Sequence, residues 1–258
     1  MSETGLLRRM RHCFRADGRT FIVAMDHSSF MDSTAAGLGA AGATIGEARA
    51  AGADAFMIPR GTMNAWPEAM ADAGLILSLS LADPGYQRAV EVALAAGADM
   101  VKVMLYPFTT TFDHDAGALN HLASECERWG VPLMVETVPG GFAAGSEMRT
   151  PERLAAAARI GVELGARVIK TFYPGDAAGM ALLAGYVPVP VVVLGGEKTE
   201  NVGEFLDGIA TALSAGAAGV AVGRNVWASQ NVGAIAQALA AVVHDGVAGQ
   251  EAAVRFGF

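Results

Sequence analysis

One lysine stands inside an apolar stretch that has the length and composition of a buried β-strand. Lys170 lies between Ile169 and Thr171, on the same alternating face as Val168 and Phe172. Burial disfavours the ammonium form of a lysine and leaves more of the free amine, which can attack a carbonyl carbon. The stretch alone fits a Schiff-base lysine and equally a lysine at a strand end that reaches solvent or a carboxylate.

Three further ionisable residues interrupt apolar runs of the same kind: Lys102, Glu136 and Asp26. A second cation at Lys102 would favour the free amine of Lys170. Glu136 could hold both ammonium groups and transfer a proton, and Asp26 could contact a substrate hydroxyl. The alternative is a buried Lys–Glu pair that only stabilises the core, although such pairs are seldom a net gain in stability. We therefore predict that these four residues are catalytic.

The elements that must position these residues recur along the chain as one unit. In each unit a helical pattern rich in alanine ends at a glycine, and an apolar strand follows within a few residues. Glycine suits the left-handed residue that closes a helix before such a turn. The predicted helix-ending glycines are Gly52, Gly74, Gly97, Gly130, Gly165, Gly185 and Gly216. The predicted strands are Thr20–Met25, Ala55–Ile58, Ile76–Leu81, Met100–Leu105, Pro132–Thr137, Arg167–Phe172, Pro190–Leu194 and Gly219–Val222.

Eight strands that alternate with helices predict parallel pairing, because each helix returns the chain to the same edge of the sheet. In a chain of 258 residues they predict an α/β fold, a single (β/α)8 TIM barrel in which residues 1–258 form one domain. Residues 1–19 are expected to form a helix that closes the barrel floor. The alternative is an open, doubly wound sheet, but that fold needs no eighth evenly spaced strand, and no Gly-x-Gly-x-x-Gly follows the first strand.

The carboxyl ends of barrel strands carry the active site, so the residues that follow the strands are the candidate ligand contacts. The seventh strand ends at Gly195 and Gly196, and the eighth ends at Gly223 and Arg224. Loops after these two strands bind phosphate in many barrels, through backbone N–H groups and a cationic side chain. We expect the four residues to bind a phosphate group.

Two more polar residues follow the first and fourth strands, His27 and Tyr106. His27 is a candidate substrate contact because it adjoins Asp26, although a structural hydrogen bond is an equal alternative. Tyr106 is the second candidate substrate contact. The histidines and nearby carboxylates do not have metal-ligand spacing, so we expect neither a metal ion nor another cofactor.

Composition limits the class of partner. The net charge of −8 gives no indication of binding to nucleic acid or to an anionic membrane. The uncharged run 177–196 contains four glycines and two prolines, which argue against a membrane span. Two cysteines are too few for a disulfide framework and predict a reduced, cytoplasmic protein. Only 17% of residues are charged and 52% are hydrophobic, which suggests a homo-oligomer, although a large core also accounts for it.

Four runs resemble the archaeal-type (DhnA) class I fructose-bisphosphate aldolases: Ala24–His27, Ile169–Asp176, Gly195–Thr199 and Gly216–Trp227. The resemblance extends over nearly the whole predicted barrel and is most specific in its second half. It implies that the lysine matching Lys170 forms the Schiff base. It also implies that the loops after the last two strands hold the phosphate. The aspartate matching Asp26 would lie in the active site.

The chain departs from that family at one position. Archaeal fructose-bisphosphate aldolases carry a catalytic tyrosine after the fifth strand, before Pro-Arg-Gly, and the matching run here is Val138–Gly141. Lys102 and Glu136 look like residues of the related tagatose-bisphosphate and sulfofructose-phosphate aldolases, which assist the Schiff-base lysine. The same superfamily also contains a transaldolase, amino-sugar synthases and a thiolase.

The expected function is therefore a class I aldolase that cleaves or forms a carbon–carbon bond in a phosphorylated ketose. The reaction would release dihydroxyacetone phosphate or a close relative. A transaldolase, synthase or thiolase of the same superfamily is the first alternative. A non-covalent sugar-phosphate isomerase or binding protein, in which Lys170 only contacts an anion, is the second.

Overall fold

Eight parallel strands close into a barrel in which each strand pairs with its neighbours along the chain, and β8 pairs with β1. The computed structural model describes residues 3–29, 35–82 and 88–258. The strands are β1 Thr20–Ala24, β2 Ala55–Pro59, β3 Gly74–Ser78, β4 Met100–Leu105, β5 Leu133–Thr137, β6 Val168–Thr171, β7 Val191–Leu194 and β8 Gly219–Val222. The prediction of a (β/α)8 barrel is confirmed.

Helices surround the barrel and connect its strands. Those described are α1 Glu3–Cys13, α2 Ala36–Gly39, α3 Ala41–Ala50, α4 Arg60–Ala65, α5 Pro67–Met70, α6 Ala89–Ala95, α7 Phe112–Trp129, α8 Pro151–Glu163, α9 Ala177–Tyr186, α10 Val202–Ser214, α11 Arg224–Trp227, α12 Val232–Ala240 and α13 Gly249–Arg255. Short polar side chains begin several of them: Asp176 accepts a hydrogen bond from the N–H of Gly179 (2.7 Å), and Asn201 accepts one from Glu204 (3.1 Å). None of the described helices has the length and apolar character that a membrane crossing requires.

Two of the seven predicted helix-ending glycines have other roles. Five adopt the left-handed conformation, with φ between 61° and 109°, but Gly185 lies inside α9 and Gly74 begins β3. A Cβ on Gly74 would lie 2.5 Å from the carbonyl oxygen of His12 and 2.9 Å from the Cβ of Ala55. That glycine lets α1 and β2 pack closely, so β3 begins two residues earlier than predicted and ends at Ser78 rather than Leu81.

Alternation along the strands divides their side chains between two apolar clusters. One alternating set packs outward against the helices, and it includes Phe21, Phe56 and Leu77. The other fills the barrel interior and includes Met100, Met134 and Val168, with Met10, Cys13 and Phe14 of the α1 region packed among them. The next inward positions on β4, β5 and β6 are Lys102, Glu136 and Lys170, so the fold sets these three charges directly above an apolar interior.

The α1 region lies against the amino-terminal end of the barrel. The Oγ1 hydroxyl of Thr20 donates a hydrogen bond to the carbonyl oxygen of Cys13 (2.6 Å), and Arg9 donates one to the carbonyl oxygen of Gly130 (3.1 Å). Both cysteines are free and buried. Burial, followed by the negative charge of Glu125, raises the pKa of Cys126 to about 12, so that thiol stays protonated and acts as a packing group.

A charged cluster forms the opposite edge of this floor, around His244 in the π-helical turn Ala241–Asp245. Its Nδ1 lies 2.8 Å from Oδ2 of Asp17, and its Nε2 lies 2.9 Å from Oδ2 of Asp54. Arg15 also pairs with Asp54. Burial lowers the pKa of His244, but the hydrogen bonds to Asp54 and Asp17 raise it by more than burial lowers it. The net shift of the pKa is therefore upward. Two carboxylate partners fit an imidazolium that donates from both ring nitrogens.

The first prediction concerns this histidine and pH. Because the folded pKa of His244 lies above the unfolded value of about 6.5, its ion pairs stabilise the fold fully below that pH. The contribution is lost as pH rises through the folded pKa. His244→Gln should therefore lower the free energy of unfolding by about 1–3 kcal/mol at pH 6, and by less at pH 9. Urea unfolding of wild type and variant at both pH values measures the difference.

The matched control is His114→Gln, because the side chain of His114 is 79% exposed and lies 3.4 Å from Asp115. That variant should change the unfolding free energy little at either pH. A loss in His244→Gln that is the same at pH 6 and pH 9 would show that folding does not raise the pKa of His244.

Candidate active site

Four buried charges form one continuous line across the upper interior of the barrel. Lys102 Nζ lies 2.9 Å from Oδ2 of Asp26 and 2.6 Å from Oε2 of Glu136. The other oxygen of Glu136, Oε1, lies 2.9 Å from Nζ of Lys170. The signs alternate along the line, so each charge adjoins only opposite charges. The structure therefore brings together all four residues that the sequence nominated as catalytic.

Strand register and burial fix this line. Glu136 and Lys170 are paired residues of the neighbouring strands β5 and β6, and Lys102 enters from β4. Asp26 follows β1, and the side chain of Lys102 reaches it across the barrel interior. Lys102 is fully buried, and the other three are between 1% and 4% exposed. Below the line, the Sδ of Met57 lies 3.9 Å from Nζ of Lys170.

The local charges decide which protonation states persist. Burial alone would raise the pKa of Asp26 and of Glu136, but the ammonium groups of Lys102 and then Lys170 bring both pKa values below their usual range. Burial would lower the pKa of Lys102, yet Glu136 and Asp26 raise it well above its usual value. Both carboxylates are therefore ionised at neutral pH, and Lys102 is an ammonium.

A serine that the sequence reasoning missed supports Asp26. The hydroxyl of Ser78, the last residue of β3, donates a hydrogen bond of 2.7 Å to Oδ2 of Asp26. The same carboxylate oxygen therefore receives both this bond and the contact with Lys102. The sequence does indicate that Ser78 faces inward, because it lies two residues after Ile76. The predicted strand Ile76–Leu81, however, placed this serine in the middle of β3 rather than at the end of β3.

The two loops predicted to bind phosphate meet at the end of β7 and β8. Arg224 donates a hydrogen bond from Nη2 to the carbonyl oxygen of Gly196 (3.2 Å). A missed residue, Asn225, holds the loops together: its Nδ2 donates to the carbonyl oxygens of Gly195 (3.1 Å) and Glu197 (2.9 Å), and its Oδ1 accepts from the N–H of Thr199 (2.9 Å). The N–H of Gly195 donates a hydrogen bond to the carbonyl oxygen of Ala221. A backbone N–H of this loop that binds phosphate must therefore belong to a residue after Gly195.

His27 packs against the second of these loops. A Cβ on Gly223 would lie 2.5 Å from Cε1 of His27, so the absence of a side chain there lets the imidazole approach the loop. The His27 ring meets Trp227 edge-on at a centroid distance of 5.6 Å. Burial lowers the pKa of His27; Asp26 opposes this shift, while the positive charges of Lys170 and Arg224 add to it. The imidazole is therefore neutral at neutral pH.

Tyr106 lies higher in the barrel mouth, four residues beyond Lys102 on the same alternating face. Its hydroxyl contacts the Sδ of Met104 (3.0 Å), and its ring meets Phe142 edge-on at 6.2 Å. Burial raises its pKa, and the charge of Glu136 adds to the shift against the opposing effect of Lys102. The hydroxyl is therefore protonated at neutral pH, and it donates to the sulfur of Met104.

The other histidines lie away from this site. His12 pairs with Asp99 and His244 with two aspartates at the barrel floor, while His114 and His121 are exposed on α7. Within the described part of the chain, no group of three or more His, Cys, Asp or Glu residues is placed to hold a metal ion.

Comparison with known proteins identifies the family to which this arrangement belongs. The sequence profile of the DeoC/LacD family of aldolases matches residues 20–229, from the start of β1 to beyond α11. The chain belongs to the DeoC/LacD family of aldolases. The match spans all eight strands and therefore every element that carries a charge of the buried line.

Individual relatives agree with this assignment. The aldolase is 33% identical to a Streptomyces griseus 2-amino-4,5-dihydroxy-6-oxo-7-(phosphonooxy)heptanoate synthase, over 93% of this chain and 89% of that protein. It is 32% identical to a Halobacterium salinarum 2-amino-3,7-dideoxy-D-threo-hept-6-ulosonate synthase, over 100% and 98%. A solved Schiff-base-forming fructose-1,6-bisphosphate aldolase is 30% identical, with a TM-score of 0.79 over 93% of this chain and 100% of that one. The predictions of family and of a class I aldolase, a lyase, are confirmed.

The second prediction concerns the centre of the charged line. Lys102→Met should lower the free energy of unfolding at pH 7 by about 3–5 kcal/mol, because Asp26 and Glu136 would remain buried without their shared counter-ion. Both carboxylates have lowered pKa values in the fold, so their stabilising contribution exists above the unfolded values near 4 and is lost as pH falls. The difference between variant and wild type should therefore shrink towards pH 4.

Denaturant unfolding at pH 7 and pH 4 measures this effect. Lys198→Met is the matched control, because Lys198 donates one hydrogen bond to the carbonyl oxygen of Ala228 at an exposed site. Its effect should stay within about 0.5 kcal/mol. A loss of similar size in the two variants would contradict the central role of Lys102.

Proposed function

We propose that Lys170 is the nucleophile of this aldolase and forms the Schiff base with the ketone of a phosphorylated ketose. One observation carries the assignment: Lys170 ends the line of charges and contacts a single carboxylate, whereas Lys102 is held between two. An ammonium with two carboxylate partners is the harder of the two to deprotonate. Attack requires the neutral amine, so the end of the line is the favoured place for it.

The bond changes follow from this assignment. The amine of Lys170 adds to the ketone carbon, and loss of water gives an iminium. A base removes the proton from the hydroxyl on the β-carbon, the second carbon from the iminium carbon. The bond between this β-carbon and the intervening α-carbon breaks, and the β-carbon leaves as part of an aldehyde. The electron pair moves to the iminium and forms an enamine. Protonation of the enamine carbon and addition of water then release dihydroxyacetone phosphate, or a close relative, and the free lysine.

Glu136 is the proposed proton carrier. Its Oε1 lies 2.9 Å from the Lys170 amine, within reach of the proton that the nucleophile must lose. Lys102 and Lys170 keep the carboxylate ionised and ready to accept a proton. At the position of the tyrosine in archaeal enzymes stands Val138, which is fully buried and has no proton to exchange. Asp26, held by Lys102 and Ser78, is proposed to bind a substrate hydroxyl.

The phosphate of the ketose is proposed to bind between the β7 and β8 loops. Arg224 reaches this junction with a partly exposed guanidinium, whose Nη1 lies 4.0 Å from Oε1 of Glu197. The guanidinium offers a planar set of donors that suits phosphate. Gly196 leaves room for the phosphate to approach the backbone, and Gly223 lets His27 come close to the loop. The neutral His27 and the hydroxyl of Tyr106, once it leaves the sulfur of Met104, are proposed to supply further donors to the substrate.

The synthase direction is the second candidate. The two synthases similar to this chain are named for seven-carbon products, one of which carries a phosphonooxy group at one end and a carboxylate at the other. A Schiff-base lysine serves bond formation as well as cleavage, because the enamine can add to a second aldehyde. The same residues would then act in reverse order.

We also propose that the aldolase works in the cytoplasm as a homo-oligomer. The buried, free thiols of Cys13 and Cys126 suit a reducing compartment. Large apolar side chains at the surface, among them Tyr186 and Val254, suit contact with further copies of the chain. Sedimentation velocity measures the oligomeric state, and a monomer at micromolar concentration would contradict the second half of this proposal.

The third prediction tests the nucleophile. Borohydride reduction in the presence of dihydroxyacetone phosphate should fix one substrate-derived group on the wild-type chain, and Lys170→Met should abolish both this labelling and turnover. Peptide mapping assigns the site without ambiguity, because Lys102, Lys170 and Lys198 are the three lysines of the sequence. Labelling that persists in the variant and maps to Lys102 would show that Lys102 is the nucleophile.

The fourth prediction separates proton transfer from attack. Glu136→Gln keeps the shape of the side chain but removes its basicity, so borohydride labelling should remain detectable while turnover falls by about 10² or more. Steady-state cleavage of a ketose phosphate and mass spectrometry after reduction give the two readouts. Retention of most of the activity would assign the proton transfer to Asp26 or to water instead.

A further inference from the structure

An arginine lies over the strand pair that carries the proposed nucleophile and its base. The loop of residues 138–150 leaves the carboxyl end of β5, and its Arg149 stacks on the ring of Phe172 with the guanidinium carbon 4.5 Å from the ring centroid. Phe172 follows β6 and lies two residues beyond Lys170 on the same alternating face, about 7 Å further along the strand. Arg149 is thus fixed at the barrel mouth one layer above Lys170 and Glu136.

The guanidinium of Arg149 has donors that its contact with the ring does not use. An arginine carries five N–H donors in the plane of its guanidinium, and the side chain of Arg149 forms no hydrogen bond to another described residue. Within the described residues, no carboxylate lies within 4.0 Å of Arg149, whereas Arg159 pairs with Glu163 and Arg167 with Glu127. An exposed cation that rests on a ring at the mouth and has no carboxylate partner there is suited to an incoming anion.

The loop that carries Arg149 is held in place at several points. The N–H of Gly140 donates to the carbonyl oxygen of Pro107 (2.8 Å), and Phe142 rests on Tyr106. At Gly140, where φ is 72°, a Cβ would lie 2.8 Å from the Cβ of Ala144 and 2.9 Å from the Cγ of Met148. Close packing of these residues immediately before Arg149 fixes its position before a ligand arrives, which lowers the entropic cost of binding.

Two cationic groups therefore flank Lys170 from different sides of the mouth. Arg224 lies at the β7–β8 loops, and Arg149 lies above the β5–β6 pair. We propose that Arg149 binds an anionic group on the aldehyde half of the substrate and thereby sets the substrate class. The preferred ketose would carry a phosphate at one end and a second anion, a carboxylate or another phosphate, at the other. This inference rests on the proposed Schiff-base function, because it assigns the aldehyde half of that same reaction.

The test runs the reaction in the direction of bond formation, with dihydroxyacetone phosphate as donor and aldehydes that differ in charge as acceptors. Succinate semialdehyde supplies a carboxylate, glyceraldehyde 3-phosphate supplies a phosphate, and butanal supplies no charge. Arg149→Gln should raise the KM of at least one anionic acceptor about 10-fold or more, the scale of a lost charged hydrogen bond, and change the KM of butanal less than about twofold. The acceptor with the larger loss identifies the anion.

Two variants serve as controls. Arg128→Gln removes a guanidinium that stacks on Trp129 at 5.4 Å, at the floor end of α7, and should leave every acceptor unchanged. Arg60→Gln removes an exposed arginine at the mouth end of β2, on the opposite side of the barrel, and should also leave the acceptors unchanged. If Arg149→Gln raised the KM of neutral and anionic acceptors equally, Arg149 would only stabilise its loop, and the proposal would be overturned. A charge-selective loss in Arg60→Gln instead would overturn it as well.

Two measurements separate this inference from the proposed function. Borohydride labelling with dihydroxyacetone phosphate alone needs no acceptor, so it should be the same in wild type and Arg149→Gln; its absence from the wild type would reject the Schiff base itself. Calorimetric titration with succinate needs no turnover. Arg149→Gln should weaken succinate binding about 10-fold, whereas unchanged binding would overturn the role of Arg149.

Discussion

The contact of Lys102 with two carboxylates is the interaction on which the interior of this barrel depends. A barrel core is normally filled by branched apolar side chains, and here three adjacent strands and a residue two positions after the end of a fourth contribute ionisable groups instead. An isolated buried charge would cost several kcal/mol. The alternation of negative and positive groups along Asp26, Lys102, Glu136 and Lys170 avoids that cost, since every charge touches one of opposite sign. Lys102 and Glu136 each have two such contacts, and Lys102 is the counter-ion that both carboxylates share.

This arrangement divides the barrel into layers with separate tasks. The α1 region and the apolar interior close the amino-terminal end, and the charges rest on them. Above the charges come apolar residues, Val138 and Phe172, and only then the loops that meet solvent. Lys170 and its charged neighbours are therefore shielded from bulk water. Electrostatic interactions gain strength in such a dry region, which suits a reaction that moves protons between closely spaced groups.

Much of this could be predicted from the sequence because barrel strands obey simple rules. Seven predicted strands agree with the observed ones to within about one residue at either end, and their alternation correctly brought four distant charges together. The third strand was misplaced because Gly74 was interpreted as a helix end. Its actual role depends on crowding between α1 and β2, which only the folded structure contains.

Other omissions share a physical cause. Ser78 and Asn225 act through side-chain hydrogen bonds to partners far away in sequence, at separations of 52 residues for Ser78 and about 30 for Asn225. Arg149 lies on a loop whose conformation depends on packing against another loop. No periodic pattern encodes such contacts, so a strand-based reading of the sequence does not detect them.

The pairing of Glu136 with Lys170 across β5 and β6 has a consequence for how such an enzyme can diversify. Their separation is set by backbone hydrogen bonds of the sheet, which sequence changes in the connecting loops leave untouched. The loops after β5, β7 and β8 can therefore be exchanged or lengthened while these two side chains keep their spacing. The strands of the barrel thus conserve the spacing of the two charged groups, whereas the loops at its mouth can change the substrate specificity.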